Sequence, residues 1–411
     1  MKRILDNKSV RAFIFVLSVF IISRVGLYGM SYLGYNLFSK YTSFPSYSEI
    51  GEDSKNYIMN LPAGISGTHF PGIKDFIKFD SDFYIKIAKA GYDKYRMSES
   101  HPVADWPFFP LYPLLMYIFS LGELIDVAVV GYILSNVFGL MGTYFLYKIA
   151  QELTKDEQVS KKTVIYLLIY PASLYLSVVY TESLFLFLST LSIYLLLKRK
   201  IGWSIFAASL STVARVPGFV NLLAIAWVLL KDAGYNPLKI RLKHYIQMVL
   251  SLIPMLIFLT YMYFLTGDFL APFHELPLNW GRTAAMPFLA FFAYPFVLGF
   301  IAPGGWDLSI AGFIMTAFVF IILFAYIKKV KDKSEPWLCI YSLLLILIPL
   351  SSASTSFTSM VRYYMVSFPL FIYMSVLSKK RTALDFAFTI LFFTLNAIYT
   401  IGYINGYYFV V

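Results

Sequence analysis

The chain has 411 residues, 59% of them apolar and 14% charged, with a mean hydropathy of +0.68. Soluble domains carry about 25% charged residues, so this composition excludes a soluble surface and reads as an integral membrane protein. The net charge of +11 suggests nucleic acid at first, but 22 of the 34 Lys and Arg residues fall in six short clusters beside apolar runs. That is the positive-inside signature of cytoplasmic loops, and no nucleic-acid partner is expected. The single Cys339 excludes a disulfide framework, and the four histidines show no metal-ligand spacing.

The first apolar run, 12–30, follows Lys2, Arg3, Lys8 and Arg11 and has no small-residue cleavage site. It reads as a signal anchor with the N-terminus inside. Segment 31–105 then lies outside; its 75 residues carry eight basic and nine acidic side chains and no long apolar run. A loop of that length is usually functional. Apolar residues at 76, 79, 83, 87 and 90 fit one helical stripe, predicting an amphipathic interfacial helix that Gly91 stops.

The run 106–121 is short and has three prolines in its first half, so it is expected to dip rather than cross, as is 288–303. Crossings are expected at 125–149, twice in each of the hairpins 163–197 and 203–230, and at 245–266, 308–328, 336–350, 363–378 and 382–405. The expected fold is an all-α polytopic bundle of about eleven transmembrane helices, at about 20 residues per span. Residues 1–411 form one domain: the first span, the outer loop 31–105, and the helices and outer loops of 106–411.

This topology places the informative polar groups on one side. Two residues apart on a helix, Asp80 and Asp82 are separated by about 200° and cannot face one site. Asp82 has Lys86 four residues on, the favourable ion-pair order, whereas Asp80 has Tyr84 there. Asp82 is therefore expected to be the solvated, paired acid and Asp80 the one turned toward a pocket, although both could be ordinary loop acids. Glu182, Arg215 and Arg362 sit in apolar runs, where a charge costs at least ~2.5 kcal/mol and is paired or faces a wet cavity. Glu182 and Arg215 could equally neutralise each other as a structural pair. Arg24, in the first span, could snorkel to an interface. Arg282 and His274 belong to the polar outer loop 267–287. The 33 tyrosines and 39 phenylalanines are read as lipid-facing, core or interfacial residues, with no binding role as a class.

A carboxylate beside arginines at the membrane surface suits transfer from a lipid-phosphate sugar. The acid can accept the proton of an attacking hydroxyl, and guanidinium groups can hold the departing phosphate. No G-x-x-x-x-G-K-[ST] loop is present, which disfavours a nucleotide substrate.

Several motifs, in order, resemble one family. They are Phe79-Asp80-Ser81-Asp82-Phe83-Tyr84 with Ile87-Ala88 and Gly91-Tyr92, then Phe108-Phe109-Pro110-Leu111-Tyr112-Pro113-Leu114. Next come Pro171-Ala172-Ser173 with Tyr180-Thr181-Glu182-Ser183-Leu184-Phe185, Ala214-Arg215 with Gly218, and Ser359-Met360-Val361-Arg362-Tyr363. Together they are similar to blocks of the PIG-V-like mannosyltransferases, related to GPI mannosyltransferase II, which have the GT-C membrane glycosyltransferase fold. Phe79 stands where the family usually has Trp, Phe83 where it has His, and Tyr170 and Val216-Pro217 replace polar family residues.

The resemblance implies inverting mannosyl transfer from a polyprenyl- or dolichyl-phosphate donor to a glycan or glycolipid acceptor, at the outer or lumenal face. By motif, Asp80 is the first catalytic candidate and Asp82 the second. Tyr84, Glu182, Arg215, Arg362, Arg24, Arg282 and His274 are candidates for substrate binding. Membrane lipids are the remaining partners, and no metal ligand is assigned, although the pattern is compatible with a divalent cation. The plasma membrane of a prokaryote and the endoplasmic reticulum both fit. The competing reading is a non-catalytic transporter or flippase of an anionic lipid or glycan, in which Glu182 and Arg215 would matter more than Asp80.

Overall fold

The computed structural model describes residues 8–38, 69–95, 103–280, 282–289, 310–329, 336–352 and 359–407, together with 291, 357 and 410. Among them every regular element is helical. Helix α1 (Lys8–Leu37) is followed by α2 (Ser81–Ala90), α3 (Leu111–Phe119), α4 (Val127–Thr154) and α5 (Glu157–Leu168). Then come α6 (Glu182–Leu197), α7 (Ile201–Thr212), α8 (Phe219–Asp232), α9 (Leu242–Leu250), α10 (Ile253–Thr266) and α11 (Ala271–Asn279). The last five are α12 (Ile310–Lys329), α13 (Pro336–Leu350), α14 (Met360–Met365), α15 (Pro369–Ser378) and α16 (Thr382–Ile404).

Five segments among the described residues are long and apolar enough to cross a bilayer: α1, α4, the α9–α10 stretch Leu242–Thr266, α12 and α16. Shorter apolar helices, α6, α7, most of α13 and α15, pack between them. Helices of this length and apolarity make this a polytopic integral membrane protein. At 1.5 Å per residue α3 rises only about 13 Å, well under the hydrocarbon thickness. The expected dipping helix 288–303 lies mostly outside the described residues, as do 39–68 and 96–102 of the long loop.

Two expected spans are broken by proline. The stretch 245–266 divides at Ser251, with Pro254 in the first turn of α10, and 363–378 divides before Pro369, at the start of α15. Proline has no N–H to continue a helix but suits its first turn.

The bundle has two chemically different ends. At one, basic side chains meet carboxylates between helices: Lys198 with Glu152 at 2.6 Å, Lys162 with Asp385 at 2.7 Å, Lys379 with Asp156, and Arg199 with Asp232. Helix α6 runs from this end to the other, so its Glu182 lies about 24 Å away along 16 residues. That opposite end carries Asp80, Glu182, Arg215 and Arg362.

Candidate functional site

Asp80 is presented by a kink. The amphipathic stripe from residue 76 is not one helix, because Phe79 has a left-handed backbone (φ 57°) and α2 begins at Ser81, with Asp80 as its N-cap residue. A side chain with φ above zero is strained, and tyrosines from distant segments hold it. The Tyr180 hydroxyl accepts the Asp80 amide at 3.1 Å and donates to the Lys78 carbonyl at 3.3 Å. Tyr403 donates to the Phe76 carbonyl at 3.0 Å, and its ring meets that of Phe79 edge-on. Gly91 ends α2, as expected, with φ 75°.

The partner of Asp80 is 282 residues away. Arg362 Nη1 donates to Asp80 Oδ2 at 2.7 Å. Arg362 lies on the short helix α14, whose N-cap Ser359 is likewise left-handed (φ 65°). Only 5% of Arg362 is exposed. Its Nε lies 3.4 Å from Glu182 Oε1, and Arg215 Nη1 touches that same oxygen. Glu182 is 1% exposed and opens α6, where the helix dipole favours a negative charge. These contacts are ion pairs by distance but not aligned hydrogen bonds, so both Glu182 oxygens and Arg362 Nε keep buried hydrogen-bonding capacity.

Arg215 comes from the turn between α7 and α8. The Arg215 amide donates to Ser211 O at 3.1 Å, and the Gly218 amide donates to Arg215 O at 2.9 Å. A Cβ on Gly218 would sit 2.2 Å from the Ser211 carbonyl oxygen, so only glycine closes this turn. Tyr363 completes the site from within: the guanidinium carbons of Arg215, Arg282 and Arg362 lie 5.2, 5.5 and 5.3 Å from its ring centroid. Arg282 also donates to Ser359 Oγ at 3.2 Å and to the Tyr363 hydroxyl at 3.4 Å. Three arginines against two carboxylates leave the cluster with a net charge of +1. Such a site can orient a group bearing hydroxyls through its open carboxylate oxygens and attract an anion through its excess cation.

The sequence model of the family described as Mannosyltransferase (PIG-V) matches residues 58–346. That span exceeds half the chain and includes Asp80, Glu182, Arg215 and Arg282. The chain belongs to the PIG-V mannosyltransferase family. A further similarity is to "GPI mannosyltransferase 2" of Schizosaccharomyces pombe, 27% identical over 145 residues, covering 35% of this chain and 30% of that protein. The chain thus spans about a third of the length of the curated relative it matches.

In this PIG-V family member, Asp80, Glu182, Arg215, Arg362 and Arg282 come together, and the other candidates do not join them. The side chain of Asp82 is exposed, and Lys86 does not pair with it. Lys86 instead bridges Asp93 at 2.6 Å and the fully buried Asp105 at 2.5 Å. Burial opposes the Lys86 charge, but hydrogen bonds to Asp105 and Asp93 outweigh it and hold its pKa above the usual lysine value. Tyr84 is buried beside the network, its hydroxyl 3.2 Å from Thr181 Oγ1. Arg24 does not snorkel: its Nη1 donates to Ser177 Oγ at 2.7 Å and to the Ser173 carbonyl at 3.2 Å. His274, on α11, pairs with Asp268 at 2.7 Å, and both side chains are exposed.

Three tyrosines pack against the cluster. Arg362 stacks over Tyr175 and Tyr180 as well as Tyr363, at 5.4 and 5.3 Å for the first two. Tyr180 and Tyr363 fall inside the motif blocks next to Glu182 and Arg362, which was the available signal. Among the described residues no group of three or more His, Cys, Asp or Glu side chains could hold a metal ion.

Proposed function

We propose that the chain is an inverting mannosyltransferase using a polyprenyl- or dolichyl-phosphate mannose donor and a glycan or glycolipid acceptor. The observation that carries this reading is the Asp80–Arg362 pair joined to Glu182 and Arg215, drawn from four separate segments. Arg362 takes Asp80 Oδ2, which leaves Oδ1 for an acceptor hydroxyl. That hydroxyl oxygen attacks the anomeric carbon as its proton passes to Asp80. The bond from the anomeric carbon to the phosphate oxygen breaks, and the lipid phosphate leaves with the electron pair, neutralised by Arg362, Arg215 and Arg282. Attack opposite the leaving group inverts the anomeric centre. Glu182 keeps the arginines oriented, and its Oε2 can accept from a sugar hydroxyl.

Membership of the PIG-V family and the name of the yeast relative support the sugar and the reaction class. The collection of basic clusters at the opposite end supports an inside N-terminus and a site on the outer or lumenal face of a bundle read as about eleven crossings. The test supplies lipid-phosphate mannose labelled in the sugar to membranes containing the chain. Label recovered in a glycosidic product supports the proposal. Label that crosses the bilayer without a new glycosidic bond indicates a transporter instead.

A further inference from the structure

At the end of the bundle away from Asp80, a groove of about 590 Å³ lies between α7 and α9, lined by Lys200, Gly202, Trp203, Phe206, Lys243 and Gln247. Gly202 lies against Gln247: a Cβ there would come within 2.9 Å of Gln247 Nε2, the end of a flexible side chain. Helix α9 itself has no buried residue, although it is amphipathic and part of an apolar segment.

Two basic side chains line this groove. Nearby Lys198, Arg199, Lys162 and Lys379 each meet a carboxylate. Lys200 and Lys243 have none within 4.0 Å among the described residues. The walls also change polarity in order. Two ammonium groups lie at the rim, the exposed indole of Trp203 follows, and the exposed ring of Phe206 lies one turn, about 4.5 Å, further toward the centre of α7. An anionic headgroup, an interfacial aromatic and an acyl chain follow the same order in a phospholipid.

We propose that this groove binds an anionic phospholipid of the leaflet opposite the Asp80 site. Its phosphate sits between Lys200 and Lys243 and its acyl chain lies against Trp203 and Phe206. Because the groove shares no residue with the Asp80 cluster, the proposal stands apart from the reaction assigned there.

The test uses the full chain in phosphatidylcholine nanodiscs containing increasing fractions of acyl-brominated phosphatidylglycerol or acyl-brominated phosphatidylcholine. Quenching of Trp203 is the component that disappears in Trp203→Phe. The expected result is half-maximal quenching at a roughly 25-fold lower fraction of the anionic lipid, fivefold for each of the two lysines. Lys200→Gln/Lys243→Gln should abolish that preference while leaving quenching by phosphatidylcholine and the far-UV helix signal unchanged, and Lys200→Arg/Lys243→Arg should retain it. Equal quenching of Trp203 by the two lipids, a preference that survives the double glutamine variant, or loss of the preference on adding inorganic phosphate at millimolar concentration would each overturn the assignment.

Discussion

Replacing Glu182 by glutamine removes the one carboxylate that touches both Arg215 and Arg362. At 3.4 Å and an effective dielectric constant of about 20, each such contact is worth about 5 kcal/mol of attraction before desolvation. The variant leaves the guanidinium groups of Arg215 and Arg362 facing each other, with Asp80 still paired to Arg362. Breaking a buried pair typically costs about 3–5 kcal/mol. With an unfolding entropy of about 2.1 cal/mol/K per residue, that loss lowers the unfolding midpoint of a chain this size by on the order of 5 °C. The single, half-buried Cys339 provides the assay, since a thiol-reactive dye reports its exposure as the detergent-solubilised protein is heated. Glu182→Gln/Arg215→Gln removes one charge of each sign and should recover at least half of the loss, a coupling visible in a double-mutant cycle. A Glu182→Gln midpoint within about 1 °C of the parent would show that this carboxylate does not compensate the arginines.

Further outcomes follow from the same contacts. Arg362→Lys keeps the charge but not the planar donor set that reaches Asp80 and Glu182, and should raise the donor KM about 10- to 100-fold in steady-state transfer assays. Gly218→Ala brings a methyl group against the Ser211 carbonyl, so it should displace Arg215 and lower transfer by tenfold or more while Cys339 stays protected at low temperature. Lys86→Met strands the buried Asp105 and should cost about 3 kcal/mol of stability by the thermal assay. Because the folded pKa of Lys86 is raised, the stability it adds is complete below pH 10.5 and is lost as pH rises through the folded value. Midpoints measured from pH 8 to 11 should therefore fall less in Lys86→Met than in the parent.

Some of this site was legible in the sequence because charge is rare in the chain. Glu182, Arg215 and Arg362 stand out inside apolar runs, and Asp80 was separated from Asp82 by helical geometry. Local spacing misleads where tertiary contacts override it. Lys86 lies four residues after Asp82, yet the loop that folds back after α2 brings Asp93 and Asp105 to it. A fully buried Asp105 needs a cation more than an exposed Asp82 does. The break at Phe79 escaped because apolar periodicity carries no information about φ, and what holds that break is a pair of hydroxyls from Tyr180 and Tyr403, far along the chain. Tyr363 was hidden among 72 tyrosines and phenylalanines, most of which do nothing but pack. The two broken spans were readable in principle from Pro254 and Pro369.

The most direct test of the proton-accepting role assigned to Asp80 is single-turnover mannosyl transfer by Asp80→Asn, compared at saturating donor with the parent chain. Asparagine keeps the shape and can still meet Tyr180 through its backbone, but it cannot take a proton from the acceptor. The rate should fall by about 10²- to 10⁴-fold while the donor is still bound. A rate within a few-fold of the parent would contradict the account and return Asp80 to the status of a structural partner of Arg362.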